Sequence, residues 1–203
     1  MKTSAAWTLL ATLALLLTTG NPLQARDVGD SYLRMHLNGS LQLNLTIERG
    51  THDFTPVVAY ITAVDSTGPD GTVLPANTLS ITGMAHIDMT MGKRKSLTIS
   101  LAGVDGPGTY DILEHGGVIV YSDASRGMAN WENVLGWAAG VDEKGSRGTV
   151  TITDIGDAVP GLGWPVKGHF DITVLGGPVF HPGYNKKKDQ QEAIMTGEFS
   201  WGL

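Results

Sequence analysis

His86-Ile87-Asp88 and His169-Phe170-Asp171 repeat one arrangement, an imidazole and a carboxylate two residues apart. On an extended strand residues i and i+2 share a face, so each copy presents a nitrogen ligand beside an oxygen ligand. If two such strands lay side by side, the four side chains could converge on a divalent ion such as Zn²⁺, which accepts this donor set. His86, Asp88, His169 and Asp171 are therefore the candidate metal ligands, and a divalent metal ion is the candidate cofactor. The plainer reading is a solvated sheet face. In the second copy Phe170, Ile172 and Val174 alternate with the polar pair, which sends the apolar set to a core and His169 and Asp171 to the wetter side.

Other residues with usable chemistry are weaker. Glu114-His115-Gly116-Gly117 puts a carboxylate and an imidazole at a strand end, where a general acid or base could reach a ligand. Adjacent residues on a strand point to opposite faces, so the two need a bulge to cooperate, and a turn explains the segment as well. No G-x-S-x-G elbow is present, and no residue is assigned a catalytic role. Asp65 to Asp70 is rich in oxygen ligands, but Pro69 stands in the fifth place, where a calcium loop wants a ligand, so the segment reads as a hairpin turn, with a weak extracellular-type calcium site as the alternative.

Trp131, Trp137, Trp164 and Trp201 offer flat amphipathic faces of the kind on which sugar rings stack. Trp164 stands apart, because Gly161-Leu162-Gly163-Trp164-Pro165 places it in a loop bounded by glycine and proline rather than in an alternating run. A long loop is expected from Gly176 to Gln191, with Lys186, Lys187 and Lys188 at its tip, and such loops often contact ligands. Trp164 and the three lysines are the candidate ligand-binding residues.

Strands must position all of these. Leu41-Gln42-Leu43-Asn44-Leu45-Thr46-Ile47 alternates apolar and polar residues, as a strand with one buried face does. The pattern returns in Leu97 to Leu101, Val150 to Ile152 and Phe170 to Val174, while Val57 to Val64 and Val118 to Tyr121 are continuously apolar, as strands buried on both sides would be. Turn clusters such as Asp105-Gly106-Pro107-Gly108 and Glu143-Lys144-Gly145-Ser146 separate them. Helix periodicity is almost absent; Asn130 to Ala139 fits either a capped turn of helix or a strand. The expectation is an all-β domain: an antiparallel β-sandwich, immunoglobulin-like or jelly-roll-like, of roughly 8–10 strands.

The second half carries Gly108-Thr109-Tyr110, Gly148-Thr149-Val150-Thr151-Ile152-Thr153, Val166-Lys167-Gly168-His169-Phe170 and Thr196-Gly197-Glu198-Phe199-Ser200. In this order the motifs resemble a family of uncharacterised bacterial exported proteins, many of them lipoproteins, built as single β-sandwich domains. The resemblance implies the fold and brings no assigned catalytic residue. This chain departs from it in lacking the lipid-bearing cysteine and in matching loosely from Val28 to Thr55.

Lys2, the apolar run from Ala5 to Leu17, the breakers Gly20 and Pro22, and Leu23-Gln24-Ala25 read as a secretory signal peptide cleaved after Ala25, leaving residues 26–203 as one domain. The apolar run falls short of the roughly 20 residues a membrane span needs. The expected location is the bacterial periplasm or the medium. With no cysteine, disulfides, thiolate metal sites, thiol nucleophiles and lipid anchoring are all excluded. The chain has 14 Lys+Arg against 20 Asp+Glu, and losing Lys2 with the leader leaves 13 against 20, a formal charge of −7. That balance disfavours nucleic acid and anionic membranes as partners.

Taken together these features point to a soluble exported binding or protein-interaction module without catalysis, meeting an extracytoplasmic protein, peptide or glycan at its loops. The alternatives are a divalent-metal-binding protein or metal-dependent enzyme built on the His-x-Asp pairs, and a carbohydrate-binding domain. A small outer-membrane barrel fits less well, since Val57 to Val64 lacks a polar lumen face.

Overall fold

A computed structural model of the chain describes residues 31–39, 42–48, 57–67, 73–88, 93–125, 134–140, 143–160, 163–177 and 185–201. Among them are eleven strands and one short helix. The strands are β1 (Tyr32–Asn38), β2 (Gln42–Glu48), β3 (Val57–Thr67), β4 (Val73–Asp88), β5 (Lys93–Ala102) and β6 (Gly108–Asp111), followed by β7 (Val118–Asp123), β8 (Leu135–Gly140), β9 (Arg147–Ile155), β10 (Trp164–Gly177) and β11 (Gln191–Ser200). The helix, α1, is Lys186–Asp189. No helix among the described residues is long and apolar enough to cross a membrane.

Alternation decides which side of each strand is buried. In β1, Leu33, Met35 and Leu37 are buried while Arg34, His36 and Asn38 are exposed. The same division runs through β10, where Phe170, Ile172 and Val174 are buried and His169 and Asp171 are exposed. All pairings are antiparallel. Six strands in the order β2-β1-β11-β10-β9-β6 make layer 1, and β3-β4-β5-β7-β8 make layer 2. The two close on each other face to face: a Cβ at Gly83 of β4 would collide with Leu33 Cδ2 on β1 and stand 2.8 Å from Ile47 Cδ1 on β2. The result is the sandwich-like all-β fold anticipated from the sequence, with one strand more than the expected range.

β10 belongs to both layers. Its middle pairs with β11 and β9, its first residues Trp164 and Pro165 pair with Ile61 and Tyr60 of β3, and Leu175 to Gly177 pair with β8. One strand thereby joins the layers at opposite corners. The turn out of layer 1 needs a register shift, with Lys167 opposite Asp154 but Gly168 opposite Ile152. Such a bulge bends a strand and increases its twist.

The glycine-phenylalanine motifs explain how β10 and β11 pack. Gly168 lies opposite Phe199, and Phe170 lies opposite Gly197. A Cβ at Gly168 would stand 2.8 Å from Phe199 Cζ, and one at Gly197 would stand 2.9 Å from Phe170 Cε1. Each ring therefore covers the glycine across from it, filling the space that the missing side chain leaves. Both rings are almost fully buried, and each contributes on the order of 1.5–3 kcal/mol by removal of its apolar surface from water.

Three local expectations are corrected. Val118 to Tyr121 is not buried on both sides: strand alternation sends Ile119 and Tyr121 into the core and leaves Val118 and Val120 half-buried on the outer face. From the ambiguous segment Asn130 to Ala139, residues 134–139 are described, and Leu135 onward forms β8; residues 130–133 lie outside the described set. The presumed loop from Gly176 to Gln191 contains α1, since Asp189 Oδ2 accepts the Asn185 N–H at 2.6 Å and closes a helical turn there.

Candidate functional site

The two His-x-Asp copies sit in different layers. On β4, His86 pairs with Arg94 and Asp88 with Lys93, with a register shift between them, so the rule that i and i+2 share a face does not carry across this bulge. The side chains of His86 and Asp88 lie outside the described set; Ile87 between them is exposed. On β10, His169 stands between Glu198 and Thr151, and Asp171 between Thr196 and Thr149, all in register. β4 pairs with β3 and β5 and has no pairing with β10 among the described residues. No group of three or more His, Asp or Glu side chains placed to hold a metal occurs among the described residues.

Glu114 and His115 belong to a turn held by its own backbone and by Asp111, whose Oδ1 accepts the N–H groups of Leu113 and Glu114. His115 is half-buried, with Nδ1 2.8 Å from the Ala102 carbonyl oxygen and its ring edge-on to Tyr110 at 5.1 Å. The imidazole thus fastens the end of β5, while Glu114 points to solvent. Asp65 to Thr67 continue β3, and residues 68–72 of the presumed hairpin turn lie outside the described set.

Of the tryptophans, Trp137 and Trp201 are buried and Trp131 lies outside the described set. Trp164 is 39% exposed. Its position is fixed from both sides. Gly163 adopts φ 111°, a region closed to most side chains, and any Cβ there would collide with the Ile61 carbonyl oxygen. Two backbone hydrogen bonds of 2.7 and 3.0 Å tie Val159 to Gly163, and the Gly156 N–H donates to the Pro165 carbonyl at 2.9 Å. A large exposed ring thus sits on a strand end whose backbone is hydrogen-bonded on both sides. Tyr60, opposite Pro165 at the same corner, is half-buried with its ring 6.0 Å from that of Trp201.

The lysine tip divides. Lys186 Nζ is 2.8 Å from the Glu143 carboxylate, and Gln190 Nε2 donates to the same group, so Lys186 fastens α1 to the turn before β9. Lys188 is exposed, and the Lys187 side chain lies outside the described set.

No family model, curated protein or solved structure matches this chain. The resemblance carried by the glycine-phenylalanine motifs is thus a likeness of strands, and function has to be argued from surfaces.

Placing the strands side by side reveals two surfaces that no single strand shows. Across layer 1 the outward residues read Thr46, Arg34, Glu198, His169, Thr151 and Thr109 in register. Arg34 is hydrogen-bonded to Glu48 at 2.6 Å and to Glu198 at 2.8 Å, which hold its guanidinium above the ordinary arginine pKa, Glu48 foremost. Across layer 2 the corresponding line reads Val58, Thr82, Thr98, Val120 and Ala138, all at least partly exposed and none charged.

Charge enters the interior at one end. Asp123 on β7 is buried, receives the Tyr121 hydroxyl at 3.4 Å and stands 3.6 Å from Lys95 Nζ on β5, which also donates to the Asn44 carbonyl on β2 at 3.0 Å. Lys95 thereby bridges the layers and occupies a carbonyl of the β2 edge, where a bare edge would invite a further strand. Burial pushes the Tyr121 hydroxyl pKa up, and the Asp123 carboxylate adds to the shift.

Proposed function

We propose that this chain is an exported binding module that meets an extracytoplasmic ligand through Trp164 rather than by catalysing a reaction. The leader from Lys2 to Ala25 supports export. The observation that carries the binding reading is the exposed indole of Trp164, carried on a backbone anchored by the Val159–Gly163 and Gly156–Pro165 hydrogen bonds and by pairing with β3. A rigid aromatic face loses little freedom when a ligand settles on it, and it presents apolar area with a polar N–H at its rim. Glycans and peptides both exploit such a face.

The test is a panel of glycans and peptides screened against the chain lacking residues 1–25, with Trp164→Ala as the comparison. Binding should weaken at least tenfold in the variant, with the thermal midpoint nearly unchanged because the ring contributes little to the core. Equal binding by parent and variant overturns the reading.

A further inference from the structure

The outward face of layer 2 is unusual in what it omits. Its central rows run Tyr60, Ser80, Ser100 and Val118 in register, beside Val58, Thr82, Thr98 and Val120. Among the described residues no charged side chain stands in this field; the nearest on β5 is Arg94, at the rim beyond Ser96. Ser and Thr are the commonest residues of the face, and every member of these two rows is partly buried, so side chains lie low and the surface is shallow.

We propose that this face is the docking surface of an uncharged polysaccharide lying across the strands along the Tyr60–Ser80–Ser100–Val118 row. The proposal rests on the reading of the chain as a binding module and places the ligand on a face separate from the Trp164 indole. Charge is the first argument. In a chain of net charge −6, a surface without ions offers no counter-charge to an acidic or basic polymer and imposes no ion-desolvation penalty on a neutral one.

The second argument is chemical. Ser and Thr hydroxyls both donate and accept, which matches a ligand whose own hydroxyls do both, while the methyl groups of Val58, Val118 and Val120 and the Tyr60 ring meet the C–H faces of sugar rings. A protein partner fits less well, because protein interfaces are depleted in Ser and Ala and rely on large buried anchors.

Spacing is the third. Neighbouring strands lie about 4.8 Å apart, and same-face residues along one strand about 7 Å apart, so the hydroxyls form a periodic grid. Each contact is weak and each short side chain loses little rotamer freedom. A repeating polymer gains from many such contacts where a single sugar would not. Tyr60 ends the row opposite Pro165, whereas Trp164 stands opposite the core residue Ile61 and so belongs to the other face of β3, which makes the row a surface separate from the indole.

The experiment uses the full chain after removal of residues 1–25. Microcrystalline cellulose, chitin and soluble amylose serve as neutral probes, with polygalacturonate and heparin as charged ones. The expected result is retention by at least one neutral probe, unchanged between low and high salt. That retention should fall at least tenfold in both Ser100→Glu and Thr98→Lys, while Thr151→Lys on layer 1 binds like the parent. Opposite charges giving the same loss would show that any ion on the face is harmful, and two variants guard against one failing to fold.

Several results overturn the proposal: no neutral probe retained, retention confined to a charged probe and lost in salt, or binding kept by both variants. So does a dimer in light scattering that Ser100→Glu dissolves without polysaccharide being bound, since the occupant is then a second copy. If Trp164→Ala abolishes binding while Ser100→Glu does not, the docking face is wrong and the Trp164 reading stands. If neither substitution matters, both fail.

Discussion

Layer 1 and layer 2 follow one rule inside and different rules outside. Inside, both alternate apolar residues toward a shared core, layer 1 with Leu, Ile, Val and Phe and layer 2 chiefly with Leu and Ile joined by Tyr121 and Trp137. Outside, layer 1 sets Arg34 between Glu48 and Glu198 and lines up His169, Asp171 and several threonines, whereas layer 2 shows Ser, Thr, Val and a single tyrosine across its middle. A sheet face turned only to water is ordinarily studded with ions, as layer 1 is. The difference teaches that burial pattern alone does not describe a strand; the polar half of the alternation has its own chemistry.

The shared core gives the largest effect against which any difference between the faces must be measured. Phe199→Ala removes a ring that covers Gly168 and should destabilise the protein by about 3–5 kcal/mol, read by urea denaturation. Gly197→Val places a side chain where the Phe170 ring already lies and should destabilise by about 1–3 kcal/mol or more. If Phe199→Ala cost no more than a surface change, the reciprocal glycine-phenylalanine packing would not be holding β10 to β11.

The second test concerns the one place among the described residues where a charged side chain is buried. Lys95→Met keeps the aliphatic stem but leaves Asp123 buried without its cation, at an expected loss of about 2–3 kcal/mol, below the figure for a fully buried pair because Lys95 is partly exposed. Asp123→Leu combined with Lys95→Met should recover much of that loss, since the orphaned charge is gone. A double variant no better than Lys95→Met alone would mean that the bridge to Asn44, not the ion pair, stabilises this end.

Much of this was legible along the chain, and the part that was not has a physical reason. Alternation marks β2, β5, β9 and β10 because the inner face must be apolar, and the Gly- and Pro-bounded setting of Trp164 separates it from the buried Trp137 and Trp201. What alternation does not contain is which strands become neighbours. β10 meets four partners, whereas β4 pairs with β3 and β5, so the two His-x-Asp copies part into different layers. The uncharged face was invisible for the same cause: Tyr60, Ser80, Ser100 and Val118 lie on four separate strands and form a row only once register is known.

A third test uses pH. The Tyr121 hydroxyl has its pKa raised in the folded protein above the ordinary value of about 10, by burial first and then by Asp123. A raised pKa means the folded state holds its proton more tightly than the unfolded chain, so the associated stability is complete below about pH 10 and is lost as pH rises beyond it. Tyr121→Phe should therefore flatten the alkaline fall in stability, measured as urea midpoints from neutral pH to above pH 10. An unchanged alkaline profile would place the sensitivity on other groups.

The smallest effect discriminates best between the two faces. Thr82→Lys, in the uncharged field, should change stability by less than about 0.5 kcal/mol, because a lysine on a partly exposed strand runs its stem along the surface and keeps its ammonium in water. On layer 1, Arg34→Ala should likewise leave the thermal midpoint nearly where it was, since exposed ion pairs contribute little and salt screens them. The two substitutions are thus matched in stability and opposed in charge, one adding an ion where there is none and the other removing one from a cluster. If layer 2 is a docking face, only Thr82→Lys abolishes retention on the neutral polysaccharide, and it does so at unchanged thermal midpoint. If both variants bind alike, the contrast between the faces is a difference of composition without consequence for binding. A folded protein that loses its ligand to one surface lysine ties that face to recognition, because an unchanged thermal midpoint in the same variant excludes lost stability as the cause.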